Sequence, residues 1–252
     1  MGATMPKRPS ERTAATRATR PPSPRRVSAS LEAYQNMREL IIAGRLAPGA
    51  HLVETDLCAR LAMSRTPVRA ALQRLQEEGF VVGETVGNMV RALVAPLTAE
   101  DMHELFAIVG ALDAIAARWA AELEPVKRQR LVNELERLNR EMSAAARARP
   151  PQVAYAQDLH ERFHHAIADT ASGPRLRAEL RSLQPQAERY GRAYTGASIR
   201  HFDDSLREHD AIIDAIRAGD ADSAEHATAI NWSSGAERYR RVVEADGEPD
   251  AR

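Results

Sequence analysis

Apolar residues recur at helical spacing along most of this chain, and the interruptions fall on Gly and Pro. Leu31, Tyr34, Met37, Leu40 and Ile41 share one stripe, which predicts a first helix that stops near Gly44. Leu46-Ala47-Pro48-Gly49 reads as a turn, because Pro fixes φ and Gly admits positive φ. A short second helix follows over about 55–61, then a tight turn at Ala62-Met63. A third helix is expected to be capped by Ser64 and to run to about Glu78, with Leu72 and Leu75 inward. Gly79 ends it. Phe80-Val81-Val82 and Met89-Val90-Arg91 flank Gly87-Asn88, and two short apolar runs around such a pair predict a β-hairpin. Pro96 closes this unit.

Beyond Pro96 the pattern is helical throughout. Thr98 is placed to cap the next helix, with Asp101 three residues on completing a loose capping box. Helices are expected over 98–122, 125–148, 153–171, 174–193, 202–218 and 220–243. They are broken at Pro125, Pro150-Pro151, Gly173-Pro174, Gly196 and Gly219. No internal repeat is visible. The predicted fold is mainly α: a winged helix-turn-helix with a small β-hairpin over 30–95, then an all-α antiparallel helical bundle over 96–243.

Composition narrows the class. The chain has 252 residues, 44% of them hydrophobic, enough for two units with separate cores. No apolar run approaches the ~20 residues that span a bilayer, and the N-terminus lacks the apolar stretch of a secretory signal. The lone Cys58 excludes an internal disulfide framework and fits a cytoplasmic setting. Charge is balanced overall but unevenly placed. Residues 1–29 hold seven basic side chains and one acid, leaving 28 basic and 34 acidic residues in the rest. With Pro, Ser and Thr and almost no large apolar residue, 1–29 is expected to be a disordered basic arm, and 244–252 a disordered tail. A mildly acidic body that binds nucleic acid must do so through one local surface.

That surface is the third predicted helix. Ser64-Arg65-Thr66-Pro67-Val68-Arg69 sits at its start, where free N–H groups favour phosphate oxygens. Ser64 and Thr66 add hydroxyl donors, and Arg65 and Arg69, four apart, share a face that can reach guanine edges. Pro67 is tolerated in the first turn. The same three helices and hairpin would also fit a winged helix that binds protein, the less favoured reading of the pattern.

The run Gly44-Arg45-Leu46-Ala47-Pro48-Gly49, then Leu57-Cys58-Ala59-Arg60-Leu61, then Ser64 through Leu72, Leu75 and Glu78-Gly79, resembles the GntR family of bacterial regulators over about residues 31–95. The resemblance implies operator DNA contacts by Ser64, Arg65, Thr66 and Arg69, with the wing residue Gly87 approaching the minor groove. It also implies a homodimer on a palindromic operator. Relatives often carry Arg where this chain has Thr55, so one contact is missing. The remainder is similar to the FCD ligand domain of the FadR-like branch. The matching pieces are Leu112-Asp113 through Ala121, Phe163-His164, Glu208-His209, Ile212–Ile216, Gly219-Asp220 and Ala224.

Read without the resemblance, His160 and His164 are four apart on one helix face, usable geometry for two metal ligands. His209 lies on the inward stripe Phe202, Leu206, His209, Ile213, Ile216, and Asn231 follows Ala224, Ala227 and Thr228 inward. An i, i+4 histidine pair is also often one exposed and one hydrogen-bonded core residue. The family resemblance implies a divalent metal held by one Asp and three His. On that pattern this chain keeps His164 and His209, has His160 in place of the Asp, and has Asn231 in place of the last His. Three imidazoles and an amide would suit Zn²⁺ or Ni²⁺. Relatives that sense carboxylic acids carry an Arg where Val109 stands, so another cation is needed. Arg189 and Arg192, beside Tyr190 and Tyr194, are the candidates for effector binding, unless they form a plain polar helix face.

The expected function is a ligand-responsive transcriptional regulator, a repressor, with double-stranded DNA, a small metabolite and its own copy as partners. A metal-dependent enzyme with an accessory DNA-binding unit is the alternative, but its obvious base, Glu161, points about 100° from His160 on an ideal helix. An architectural DNA-binding protein that senses nothing is a third reading, which the inward histidines oppose.

Overall fold

The computed structural model describes residues 24–87, 89–194 and 202–246. The break expected at Gly196, the turn residue Asn88 and most of the two expected disordered ends lie outside them. The elements are α1 (Pro24–Ile42), α2 (Glu54–Leu61), α3 (Arg65–Glu77), β1 (Val81–Val86), β2 (Met89–Val94), α4 (Ala99–Ala121), α5 (Pro125–Arg147), α6 (Val153–Ala171), α7 (Pro174–Ala193), α8 (Phe202–Ala218) and α9 (Ala221–Asp246).

The mainly α fold with its single hairpin is as the pattern predicts. Helix α1 begins at Pro24, so residues 24–29 are helical rather than part of a disordered arm. Pro is favoured in a first helical turn and no breaker follows it until Gly44. Likewise α9 runs through Asp246, past the expected boundary at 243. Leu31 is exposed, and Ala33 joins Tyr34, Met37 and Ile41 on the buried face of α1.

Two caps differ in an instructive way. Ser64 occupies the N-cap position of α3 with extended backbone, yet its side chain makes no capping bond. A cap reaches the N–H of the second or third helical residue, and the third is Pro67, which has none. Thr98 does cap α4, its Oγ1 accepting from the Asp101 N–H at 3.1 Å. The return half of that capping box is absent, because the Asp101 carboxylate takes the Tyr190 hydroxyl at 2.6 Å.

The winged unit has its own core of Met37, Ile41, Leu57, Val68, Leu72, Leu75, Phe80 and Val94. Strand β1 pairs antiparallel with β2 from Val81↔Val94 to Val86↔Met89. A third segment escaped the sequence reading: Leu52 N–H donates to Ala92 O at 2.8 Å and Val94 N–H to Ala50 O at 2.9 Å, edging the hairpin. The bundle buries Val109, Ala116, Ala117, Leu131, Leu135, Phe163, Ile212 and Ile216. Helix α4 crosses α9 closely, and a Cβ added to Gly110 would lie 2.7 Å from Cβ of Trp232. Only glycine lets these backbones meet.

The units join along α7. Pro185 lies inside this helix, so the Arg181 carbonyl loses its helical donor. Arg38 Nη2, from α1, donates to that carbonyl at 3.0 Å. Gln186 Nε2 reaches the Glu78 carbonyl at 2.8 Å, and buried Arg189 donates to Ala95 O.

Candidate functional site

The first candidate surface is the start of α3. Ala62 turns the chain with φ +52, and its N–H is taken by the end of α2. Met63 follows, so the tight turn falls where the sequence places it. Val68, Leu72 and Leu75 face the core, leaving Ser64, Arg65, Thr66 and Arg69 exposed together. Because Ser64 does not cap, its hydroxyl and the first-turn N–H groups stay available to a phosphate. Arg69 is held in place: its Nε donates to both Glu54 carboxylate oxygens, at 2.7 and 2.8 Å. Across the hairpin, Gly87 has φ +61, a turn conformation that suits glycine. Val86, Met89 and Val90 beside it are exposed, so the wing tip presents apolar surface.

The second candidate site lies inside the bundle. Helix α6 supplies His160 and His164, and α8 supplies His209. One ring nitrogen from each lies within 4.8 Å of the others. His164 and His209 are buried, with ring centroids 5.5 Å apart. His160, His164 and, from α9, Asn231 line a cavity of about 70 Å³. By the measure of roughly 10–15 Å³ per water-sized probe, that holds a handful of water-sized groups.

Neighbouring helices set which nitrogens look inward. Asn139 of α5 donates its amide N–H groups to Asp210 Oδ1 at 2.7 Å and Leu206 O at 3.2 Å. Its oxygen therefore faces His209 Nδ1, 3.1 Å away, and accepts the proton there. His209 Nε2 is left with a lone pair and no partner. His164 Nδ1 lies 3.3 Å from the buried Asp113 carboxylate, which also accepts from Trp232 and Gln184. His164 Nε2 and His160 Nδ1 likewise have no hydrogen-bond partner. Burial, then the neighbouring His164 and Arg238, pushes the His160 pKa well below the ordinary imidazole value. Burial, then His160, His164 and Arg238, does the same to His209. Neutral rings with unshared lone pairs are the form that binds a divalent metal.

Asn231 donates to Glu208 Oε2 at 2.8 Å, and Glu208 in turn holds Arg238 through bonds of 2.7 and 2.9 Å. Phe106, Trp232 and Tyr239 form an aromatic wall. Glu161 and Glu188 lie on the opposite polar side. Burial and the charge of Glu188 raise Glu161 to about 7. His165 sits 2.8 Å from Glu188. Burial pulls its pKa down, but the bond and charge of Glu188 more than offset this and leave it raised.

The effector cations expected from sequence are elsewhere. Arg189 and Tyr190 turn toward the joint, where Arg189 bonds Ala95 O and Tyr190 bonds Asp101, and neither lines the cavity. Arg192 is paired with Glu161. Arg238, seven residues after Asn231 and so on the same helix face, does line the cavity. That phase was available in the sequence. Val109 is fully buried in the core.

An exposed helix start beside a wing, joined to a bundle with an interior polar pocket, is the arrangement expected of a ligand-responsive DNA-binding regulator. Residues 29–85 match the bacterial regulatory proteins of the gntR family, and residues 104–231 match the FCD domain. The chain belongs to the GntR family of transcriptional regulators, in its FCD branch, and is not an enzyme. It is 30% identical over 188 residues to the "Probable D-xylose utilization operon transcriptional repressor" of Paenarthrobacter nicotinovorans, covering 74% of this chain and 78% of that one. It is 24% identical to the galactonate operon transcriptional repressor of Escherichia coli, covering 81% and 93%. A solved GntR protein from Rhodococcus sp. RHA1 is 26% identical with a TM-score of 0.66, over 84% of this chain and 97% of that one. The E. coli McbR/YncC structure, at 22% identity and TM-score 0.65 over 85% and 98%, shares the fold. Glu161, the base an enzymatic reading would need, is buried and committed to Gln157 and Arg192. No helix among the described residues is long and apolar enough to cross a membrane.

Proposed function

We propose that the protein is a homodimeric, cytoplasmic repressor whose hold on a palindromic operator is set by a small metabolite in the bundle. Ser64, Arg65, Thr66 and Arg69 enter the major groove and Gly87 approaches the minor groove. A divalent metal, Zn²⁺ or Ni²⁺, is held by His160, His164 and His209, with Asn231 as a fourth neighbour. The observation that carries the interior site is that one ring nitrogen from each of three histidines lies within 4.8 Å of the others, while His160 Nδ1, both nitrogens of His164 and His209 Nε2 have no hydrogen-bond partner. Three imidazoles, each aimed by a neighbouring side chain or its own helix, fit a borderline-soft cation. When bound, the metal supplies a Lewis-acidic anchor for an effector oxygen. Arg238 and the aromatic wall orient the rest of that molecule.

The names of two relatives, both repressors of sugar or sugar-acid operons, support repression. Elemental analysis and mass spectrometry of gently purified protein test the interior site. We expect about one metal per chain, lost in His164→Ala and held more tightly in Asn231→His. A metal-free wild type that also fails to take up Zn²⁺ or Ni²⁺ sinks the metal reading. For the surface, Arg65→Ala and Arg69→Ala should each weaken operator binding by roughly 1–3 kcal/mol. Unchanged binding by the double variant removes α3 from the groove.

A further inference from the structure

A second cavity, of about 260 Å³, lies in the cleft between the winged unit and the bundle. Arg38 of α1 enters it from one side, and Arg177 and Arg181 of α7 from the other. Asp169 is the one carboxylate among the described residues that line it. It is shared between Arg181 at 2.9 Å and Arg177 at 3.9 Å. Among the described residues, no carboxylate pairs with Arg38. Its Nη2 is spent on the Arg181 carbonyl and its guanidinium rests 5.2 Å over the Phe80 ring. The Nε of Arg38 is shut off from water with no hydrogen-bond partner. Arg177 donates through Nη2 to the Ser172 carbonyl at 2.5 Å, and its Nε faces Asp169 at 3.9 Å. Three arginines thus line one cleft with a single carboxylate among the described residues there.

We propose that this cleft is a second ligand site, distinct from the histidine cavity, for a multiply charged oxyanion: a phosphate group, free or carried on a metabolite. Guanidinium forks match phosphate oxygens in geometry and bind them with charge-assisted hydrogen bonds. A net excess of two positive charges favours a dianion over a monocarboxylate. The ligand contacts α1 on one side and α7 on the other, so it binds the docked arrangement of the two units and stabilises it. His165 and Gln184 line both this cleft and the histidine cavity, so two side chains separate the occupants of the two sites.

Calorimetric titration of the full-length protein tests this, with inorganic phosphate, glucose 6-phosphate and glucose as probes at matched ionic strength. One saturable phosphate site per chain is expected, weakened at least tenfold in Arg38→Gln/Arg177→Gln and unchanged in His209→Ala, which damages only the interior site. Tighter binding of glucose 6-phosphate than of inorganic phosphate would mark a carried phosphate, and the reverse order a free ion. Glucose should not bind. Asp169→Asn, at an exposed position, should bind phosphate several-fold more tightly, which reads the site even if the double variant misfolds. Absence of saturable phosphate binding overturns the proposal. So does equal binding by wild type and the double variant, the result expected if the basic N-terminal residues capture the anion, and so does an unaltered affinity in Asp169→Asn.

Discussion

Asn139 governs the chemistry of His209 from another helix. With its amide hydrogens committed to Asp210 and Leu206, its oxygen fixes the proton on His209 Nδ1 and turns Nε2 inward. Burial then keeps the ring neutral, its pKa far below the ordinary value. In the unfolded chain the same ring titrates near ~6.5. As pH falls below that value the unfolded state takes up a proton that the folded state refuses, so stability is full above about 6.5 and declines as the solution is acidified. Metal-stripped protein should therefore melt at progressively lower temperature between about pH 7 and 5, and His209→Gln should flatten that dependence. Equal slopes for the two proteins would show that His209 is not buried neutral. The histidines were legible in the sequence because i, i+4 spacing and stripe phase are local. Asn139 and Asp113 were not, because each meets its histidine only when separate helices pack.

At the scale of elements, periodicity and breakers carried most of the fold. Gly79, Pro125 and Gly173-Pro174 end or start helices where the pattern predicts, and the hairpin turns at Gly87. The third edge at 50–52 was hidden because a turn precedes it and too few residues take part to show alternation. The α4–α9 crossing was also hidden, although its means are local. Gly110 and the run of small residues Ala114, Ala117 and Ala121 leave α4 a narrow face on which α9 can lie. A side chain at 110 must displace Trp232, which also bonds Asp113 and packs 5.4 Å from Phe106. Overpacking a fitted core costs roughly 1–3 kcal/mol. Gly110→Leu should lower unfolding stability by at least that much in urea titration and reduce metal uptake, since Trp232 lines the cavity. A variant as stable as wild type would mean that the crossing can open without loss.

The whole molecule is organised around α7, which has two working faces. Gln184, Ala187, Glu188 and Gly191 line the interior cavity, while Arg181 and Gln186 meet the winged unit through their carbonyl and amide. A change in the cavity that shifts α7 must therefore shift the carbonyl that receives Arg38 and the amide that holds Glu78. Hydrogen bonds of this kind contribute about 0.5–1.5 kcal/mol each. Two of them together match the roughly 1–3 kcal/mol typical of coupling between an effector site and a distant function. The joint is thus strong enough to carry the signal and weak enough to switch. Arg38→Gln with Gln186→Ala removes both bonds while leaving α3 and the histidines intact. This double variant should bind operator and take up Zn²⁺ with affinities near wild type. What it should lose is the connection: the fold-change in operator affinity on adding Zn²⁺, read by fluorescence anisotropy of labelled operator, should shrink toward one. If the variant responds as strongly as wild type, the signal does not pass through these two bonds, and the route must run instead through the remaining α7 contact, Arg189 to the Ala95 carbonyl, and the chain connection at Ala95–Thr98.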